Sequence, residues 1–439
     1  MADPILHPPT LADSARRVGY IELVRTNTNY RRLWLGDVAS LLGDWFNTIA
    51  LYTLIERLTA SPLALGLVFI TKSLPFALAS PLAGLIADRF DRRRLMIGAD
   101  LLRAVIVLGL VLVSRPEHVV WIYVLGALQM IVGAVFTPAR SASIPNITSP
   151  RELLTANALS AATWSAVLAL GAALGGLVTE WIGEHAVFVI DSATYLVSAF
   201  LIWRCVIPQE KETALPGSMI RTAHKQVVDG WRHMWRDPRI GRVALTKTAW
   251  AIGGGGLVYM LALFGETVLP AAPAVGIGWF FAARGLGTGL GPVVMRAAEP
   301  DRRWWPTIMG LGIAFTGLVY CLISQLHVFW LLVVLIMAAH STSGANWVAS
   351  TVLLQERTTD RYRGRVFATE WLTLTFVDSV SILTASLLLE GKVLTLRQGL
   401  AAFGLVQVAT GLVWLATIAR QEAAADRRLA AGSDPAPVS

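Results

Sequence analysis

Asp37 and Asp44 stand seven residues apart in the first long apolar run of this chain, with Ser40 and Thr48 beside them. On a helix that spacing puts both carboxylates on one face. Lys72 falls in the second such run, Asp100 and Arg103 in the third, Arg284 in the eighth, His340 in the tenth and Asp378 in the eleventh. In a bilayer a central charge costs roughly 2.5–3.5 kcal/mol on insertion scales, so such a residue faces a cavity or a partner. Asp100 and Arg103, one turn apart, can satisfy each other. The chemistry on offer is proton loading and ion-pair exchange. A desolvated carboxylate at Asp44 suits the first task, and Asp37 follows it as a candidate. His340 has Ser341, Thr342 and Ser343 next to it, so hydrogen-bonded packing competes there with proton transfer.

The elements that must position these groups are membrane helices. Of 439 residues, 55% are apolar and only 15% charged, against about 25% charged in soluble domains. Twelve runs are each long enough to cross a hydrocarbon core of roughly 30 Å. They cover about 33–57, 62–87, 95–114, 119–138, 153–179, 185–206, 243–268, 275–296, 305–324, 327–354, 366–389 and 398–419. The seventh is interrupted by Gly253-Gly254-Gly255-Gly256. Counted from the span ends, Asp44, Lys72, Arg284, His340 and Asp378 lie at similar depth.

A net charge of +8 raises the question of nucleic acid, and the placement of the cations answers it. With a cytoplasmic N-terminus, 29 of the 37 Lys and Arg fall in the tails and the even-to-odd loops. That is the positive-inside pattern. It predicts a multi-pass protein of the inner (cytoplasmic) membrane with both termini cytoplasmic, attracted to anionic lipid and not to nucleic acid. No cleavable signal peptide is evident, and Cys205 and Cys321 suggest no disulfide framework.

Residues 1–28 read as a cytoplasmic tail, 29–207 as a six-helix half, 208–242 as a cytoplasmic linker, 243–420 as a second six-helix half, and 421–439 as a disordered tail. In the linker, Ile220, Val227, Trp231, Met234 and Trp235 recur at helical spacing among Arg221, Lys225, Arg232 and Arg236. That pattern predicts an amphipathic helix at the membrane surface. His224 and Asp229 share the spacing of an acyltransferase pair, but the linker has no room for such a domain.

Four segments carry a family resemblance. Leu33-Trp34-Leu35-Gly36 leads to Gly43-Asp44-Trp45; Gly84-Leu85-Ile86-Ala87-Asp88-Arg89-Phe90-Asp91-Arg92-Arg93-Arg94 joins spans 2 and 3; Phe136-Thr137-Pro138-Ala139-Arg140 ends span 4; Asp360-Arg361-Tyr362-Arg363-Gly364-Arg365 enters span 11. Together they resemble the major facilitator superfamily, in the branch of the enterobactin exporter and macrolide efflux pumps. Two departures stand out: Asp91 replaces a glycine of the loop pattern, and span 5 has no Gly-Pro pair.

The resemblance implies an all-α membrane protein with twelve transmembrane helices in two halves. It also implies a latch. Ser80, Gly84 and Asp88 form a small face on which helix 11 would approach, Asp88 would meet its first turn, and Arg89, Arg92 and Arg93 would pair with Glu370. Helices 2 and 11 meet across the halves in this family, so Lys72 and Asp378 are expected to pair. Helix 1 lines the family's cavity, which favours Asp44 as the proton site. Gly171 and Gly175, with Gly285, Gly287, Gly289 and Gly291, suit close packing of helices 5 and 8. Trp45, Trp164, Trp250 and Trp347 are candidates for an aromatic substrate cavity.

The functional expectation is proton-coupled export of a small hydrophobic or amphiphilic compound by alternating access. The alternatives are a lysolipid or siderophore transporter of the same fold, or a non-transporting membrane receptor. No enzyme, cofactor or metal is expected: the seven histidines are scattered, and no His-x-x-Glu-His, Cys-x-x-Cys or Gly-x-x-x-x-Gly-Lys-Ser/Thr segment is present. Substrate, protons and membrane lipid are the expected partners.

Overall fold

A computed structural model describes residues 18–209 and 218–430. Its twelve long helical spans are α1 (Thr28–Thr59), α2 (Pro62–Thr71 and Leu74–Arg89), α3 (Arg92–Leu110), α4 (Val119–Ile147), α5 (Pro150–Ile182), α6 (Glu184–Trp203), α7 (Pro238–Val268), α8 (Pro273–Ala298), α9 (Trp305–Ile323), α10 (Phe329–Arg357), α11 (Asp360–Glu390) and α12 (Leu396–Trp414). Ten of these regions are long and apolar enough to cross a membrane by composition alone. The other two, α3 with four arginines and α8 with two, complete the two six-helix halves.

Local chemistry sets the boundaries. Asn27 caps α1 by accepting from the Tyr30 N–H at 2.9 Å, and Asp91 caps α3 through the Arg94 N–H at 2.7 Å. The second span is not one helix. It breaks at Lys72-Ser73, where Pro75 has no N–H to give and its ring opposes the Thr71 carbonyl. The glycine run that seemed to interrupt the seventh span does the opposite. α7 passes through it unbroken, and the missing side chains admit Asp378 and Ser381 of α11 and Phe403 and Gln407 of α12.

The buried apolar residues divide unequally. One cluster spans both halves at the face away from the termini, joining Phe46 and Tyr52 of α1, Phe69 of α2, Tyr259 of α7, Phe281 of α8 and Ile382 of α11. At the face bearing the termini the halves have separate cores, one around Tyr30, Met96 and Phe136, the other around Ile240, Leu353 and Trp414. Between α5 and α8 the backbones nearly touch: a side chain at Gly278 would meet the Ala172 carbonyl and the Gly176 Cα. The expected glycine assignment holds for two of the six. Gly285 and Gly289 face α5, but Gly171 and Gly175 face Trp45 and Phe46 of α1, and Gly287 and Gly291 face α10.

The linker helix runs from Met219 to Arg236 and lies on the start of α11. Gly230 lets it touch the Arg365 carbonyl and Thr369, Asp229 pairs with Arg365 at 3.2 Å, and His233 stacks on Tyr362. The tail expected to be disordered from 421 is helical to Ala430. It is tied down by Glu422, buried between Arg242 at 2.9 Å and Arg357 at 2.7 Å.

Candidate functional site

The N-terminal half gathers most of its interior charges where α1, α2, α3, α4 and α6 meet. α1 and α6 approach so closely at Gly43 that any side chain there would overlap Asp191 Oδ1 and Thr194 Oγ1. The next residue, Asp44, accepts from the Tyr195 hydroxyl at 2.5 Å and from Gln129 Nε2 at 3.4 Å. Gln129 Nε2 also donates to the Tyr195 oxygen at 2.9 Å, closing a three-residue network over α1, α4 and α6. The Arg103 guanidinium lies over the rings of Tyr195 and Phe136, 4.4 and 4.6 Å from their centroids, and pairs with Asp100.

Lys72 sits at the break in α2 and turns inward. Its Nζ donates to Thr48 Oγ1 at 2.9 Å and to Asn47 Oδ1 at 3.2 Å. Thr48 in turn donates to the Asp44 carbonyl at 2.7 Å. Asp191, on α6, is fully buried, and its Oδ2 has no hydrogen-bond partner. Closer to the termini, Asp37 of α1 pairs with Arg140 of α4 at 2.6 Å.

In the C-terminal half, Lys247 of α7 pairs with Glu370 of α11 at 3.0 Å, donates to Thr351 of α10 at 3.0 Å, and lies 4.5 Å from the Trp347 ring centroid. His340 Nε2 and the Tyr320 hydroxyl are 2.9 Å apart, and the His340 ring meets Trp250 edge-on. Arg284 and Asp378 act on each other only through their charges, with no ion pair between them, and the Arg284 Nε is buried without a hydrogen-bond partner.

These contacts correct several expectations. Lys72 and Asp378 form no pair: Lys72 turns into its own half, and Asp378 packs on α7 at Gly255. Glu370 is held by Lys247, while Arg92 lies 3.9 Å from Asp88 and Arg93 donates to the carbonyls of Ile202 and Trp203. A side chain added at Gly84 would have open space. Arg92 and Arg93 are therefore not joined to Glu370, which Lys247 holds in this structure. Among the described residues, Trp45, Trp164, Trp250 and Trp347 make no ring contacts with one another. Trp45 lies against Phe281, Trp164 is half exposed, and Trp347 meets Trp371.

Sequence reasoning missed Asp191, Tyr195 and Gln129, and the partners of Arg140 and Lys247. An acidic residue inside the sixth apolar run was the available signal for Asp191.

The interior charges do not balance. Three pairs, Asp37–Arg140, Asp100–Arg103 and Lys247–Glu370, neutralise themselves. In the N-terminal cluster this leaves Lys72 beside Asp44 and Asp191, while in the other half Arg284 stands against Asp378. The buried N-terminal group thus holds one amine among two carboxylates.

Comparison with known proteins bears on what such a site serves. Residues 33–369 match the sequence profile of the Major Facilitator Superfamily. The chain is 30% identical to the uncharacterized MFS-type transporter YfiS of Bacillus subtilis over 204 residues, 44% of this chain and 48% of that protein. It is also 30% identical over 176 residues to BacE of Bacillus subtilis, whose name assigns it to bacilysin export; the match covers 40% of this chain and 44% of BacE. These matches thus span less than half of either relative. A crystal structure of a bacterial homolog of the human lysosomal transporter Spinster superposes with a TM-score of 0.66 at 17% identity, over 94% of this chain and 100% of that one.

Proposed function

The chain belongs to the Major Facilitator Superfamily, and from that premise we propose that it exports a small hydrophobic or amphiphilic compound in exchange for protons. It does so by alternating access across the inner membrane, with both termini in the cytoplasm. The observation that carries the reading is the buried group of Asp44, Tyr195, Gln129, Asp191 and Lys72, which holds two carboxylates and one amine. A group of that composition takes up a proton readily when sealed from water, and gives it up when water or a cationic partner reaches it.

The halves rock about the α5–α8 seam. The shared apolar cluster closes the face away from the termini, and the separate cores leave the halves apart at the other. Substrate enters from the cytoplasm in this state. Proton entry from the opposite side after reorientation resets the cycle. One proton falling through 100 mV releases about 2.3 kcal/mol, which at about 1.4 kcal/mol per tenfold sustains roughly a fifty-fold gradient of a neutral substrate. The name of BacE supports export as the direction.

The test is accumulation of dyes, macrolides and siderophores in efflux-deficient cells expressing the protein, with and without a protonophore. Lower accumulation of at least one compound, reversed by the protonophore, is the expected result. Lower accumulation that the protonophore leaves unchanged would refute proton exchange.

A further inference from the structure

We propose that Asp191, and not Asp44, holds the resting proton of the buried cluster, with Asp44 kept as the anion beside it. The two carboxylates have opposite surroundings. Asp44 receives the Tyr195 hydroxyl at 2.5 Å and the Gln129 amide at 3.4 Å, both donors that favour a negative oxygen. Asp191 receives less, with the Asn47 side chain acting on it as a weak donor. Its Oδ2 has no partner, and its Oδ1 is 3.4 Å from Thr194 Oγ1, whose proton is already given to the Asp191 carbonyl at 2.7 Å. A fully buried carboxylate with so few donors is far cheaper as the neutral acid.

The surrounding charges make the same choice. Against α6, α1 brings Asp44, α2 brings Lys72, α3 brings the Arg103–Asp100 pair, and α4 brings the neutral Gln129. The interior of α5, residues 153–179, brings no charge. The Arg103 charge is matched by Asp100, so one amine faces two carboxylates. Asn47 stands between them: its Oδ1 accepts from Lys72, and the residue borders Asp191. Neutral Asp191, anionic Asp44 and cationic Lys72 sum to zero. Any movement of α2 that carries Lys72 toward Asp191 then favours release of its proton, because an ammonium at close range stabilises the carboxylate. Gly43 makes this arrangement possible by letting Asp191 sit against the backbone of the helix that carries Asp44.

The role of this proton in transport rests on the exchange reading above, but its residence can be tested without any substrate. The experiment is infrared spectroscopy of the purified full-length protein at neutral pH, in light and heavy water. A protonated buried carboxyl gives a C=O stretch that shifts on deuteration. The expected result is such a band in the wild type, kept in Asp378→Asn, lost in Asp191→Asn, displaced in Asp191→Glu and left in place in Asp44→Glu. Absence of the band in the wild type overturns the assignment, as does its survival in Asp191→Asn or its displacement in Asp44→Glu. Failure of Asp191→Asn to fold overturns it too, since asparagine has the size and charge of the neutral acid. Uphill export by Asp191→Asn separates the two claims. If the band is lost and protonophore-sensitive export persists, the proton resides at Asp191 but does not drive transport.

Discussion

Tyr195 of α6 donates its hydroxyl to Asp44 of α1 at 2.5 Å, tying together two helices already packed closely where Asp191 and Thr194 meet Gly43. The bond makes the charge on Asp44 depend on α6. Tyr195→Phe keeps the ring under the Arg103 guanidinium and removes the donor to Asp44 together with the acceptor for Gln129. A hydrogen bond to a charged group is worth about 1.5–3 kcal/mol, so the tie between α1 and α6 weakens by about that much. We expect the melting temperature of Tyr195→Phe to fall measurably. An unchanged melting temperature would mean that the bond contributes nothing to holding α1 on α6.

Asp44→Asn makes the other half of that argument. It removes the anion while keeping hydrogen-bond capacity toward Tyr195 and Gln129. Uphill export should be lost and passive exchange of substrate down its gradient retained. Proteoliposomes with and without an imposed pH gradient measure both. Normal uphill export by this variant would remove Asp44 from the coupling mechanism.

The Lys247–Glu370 pair is nearly sealed from water, both side chains being under 10% exposed. Breaking a buried pair from one side leaves a bare charge and typically costs about 3–5 kcal/mol. Glu370→Gln should therefore lower the melting temperature clearly. The double variant Lys247→Met with Glu370→Gln should regain most of the loss, because no charge is stranded. If the single and double variants melt alike, the pair contributes no coupling, and a latch role for Glu370 in another conformation becomes the better account of it.

How much of this was readable beforehand depends on which coordinate of a residue is at issue. Depth is legible, because residue count along an apolar run converts directly to height in a bilayer. The twelve spans and the interior position of Asp44, Lys72, Arg284 and Asp378 follow from it. Azimuth is not legible, since the direction a side chain takes around its helix is set by packing. Lys72 and Asp378 share a depth yet turn away from each other, one toward Thr48 and the other toward Gly255. The break at Lys72-Ser73 contributes to that turn, and its cause, Pro75, was present in the sequence but hidden inside an apolar run. The Gly253–Gly256 run shows the converse error. Propensity marks four glycines as a weak helix, whereas the close approach of α11 and α12 makes them necessary.

At the face away from the termini, Glu390 at the end of α11 caps the start of α2 across the two halves. Its Oε2 accepts from Ser61 Oγ at 2.7 Å and from the Leu63 N–H at 3.1 Å. A carboxylate at a helix N-terminus is favourable, and here it also holds the halves together on that face. Solvent reaches the group, so the contact is worth about 1 kcal/mol, not the value of a buried pair. Glu390→Gln should accordingly shift the balance between this state and one open at that face by roughly five-fold. Spin labels at Arg115 and Val328, in a background with Cys205 and Cys321 replaced by serine, place one probe on each half at that face. The expected change is a growing population of long label-to-label distances in Glu390→Gln. A distance distribution identical to that of the parent would show that the Glu390 cap does not hold the face closed and would leave the apolar cluster around Phe69, Tyr259 and Phe281 as what does.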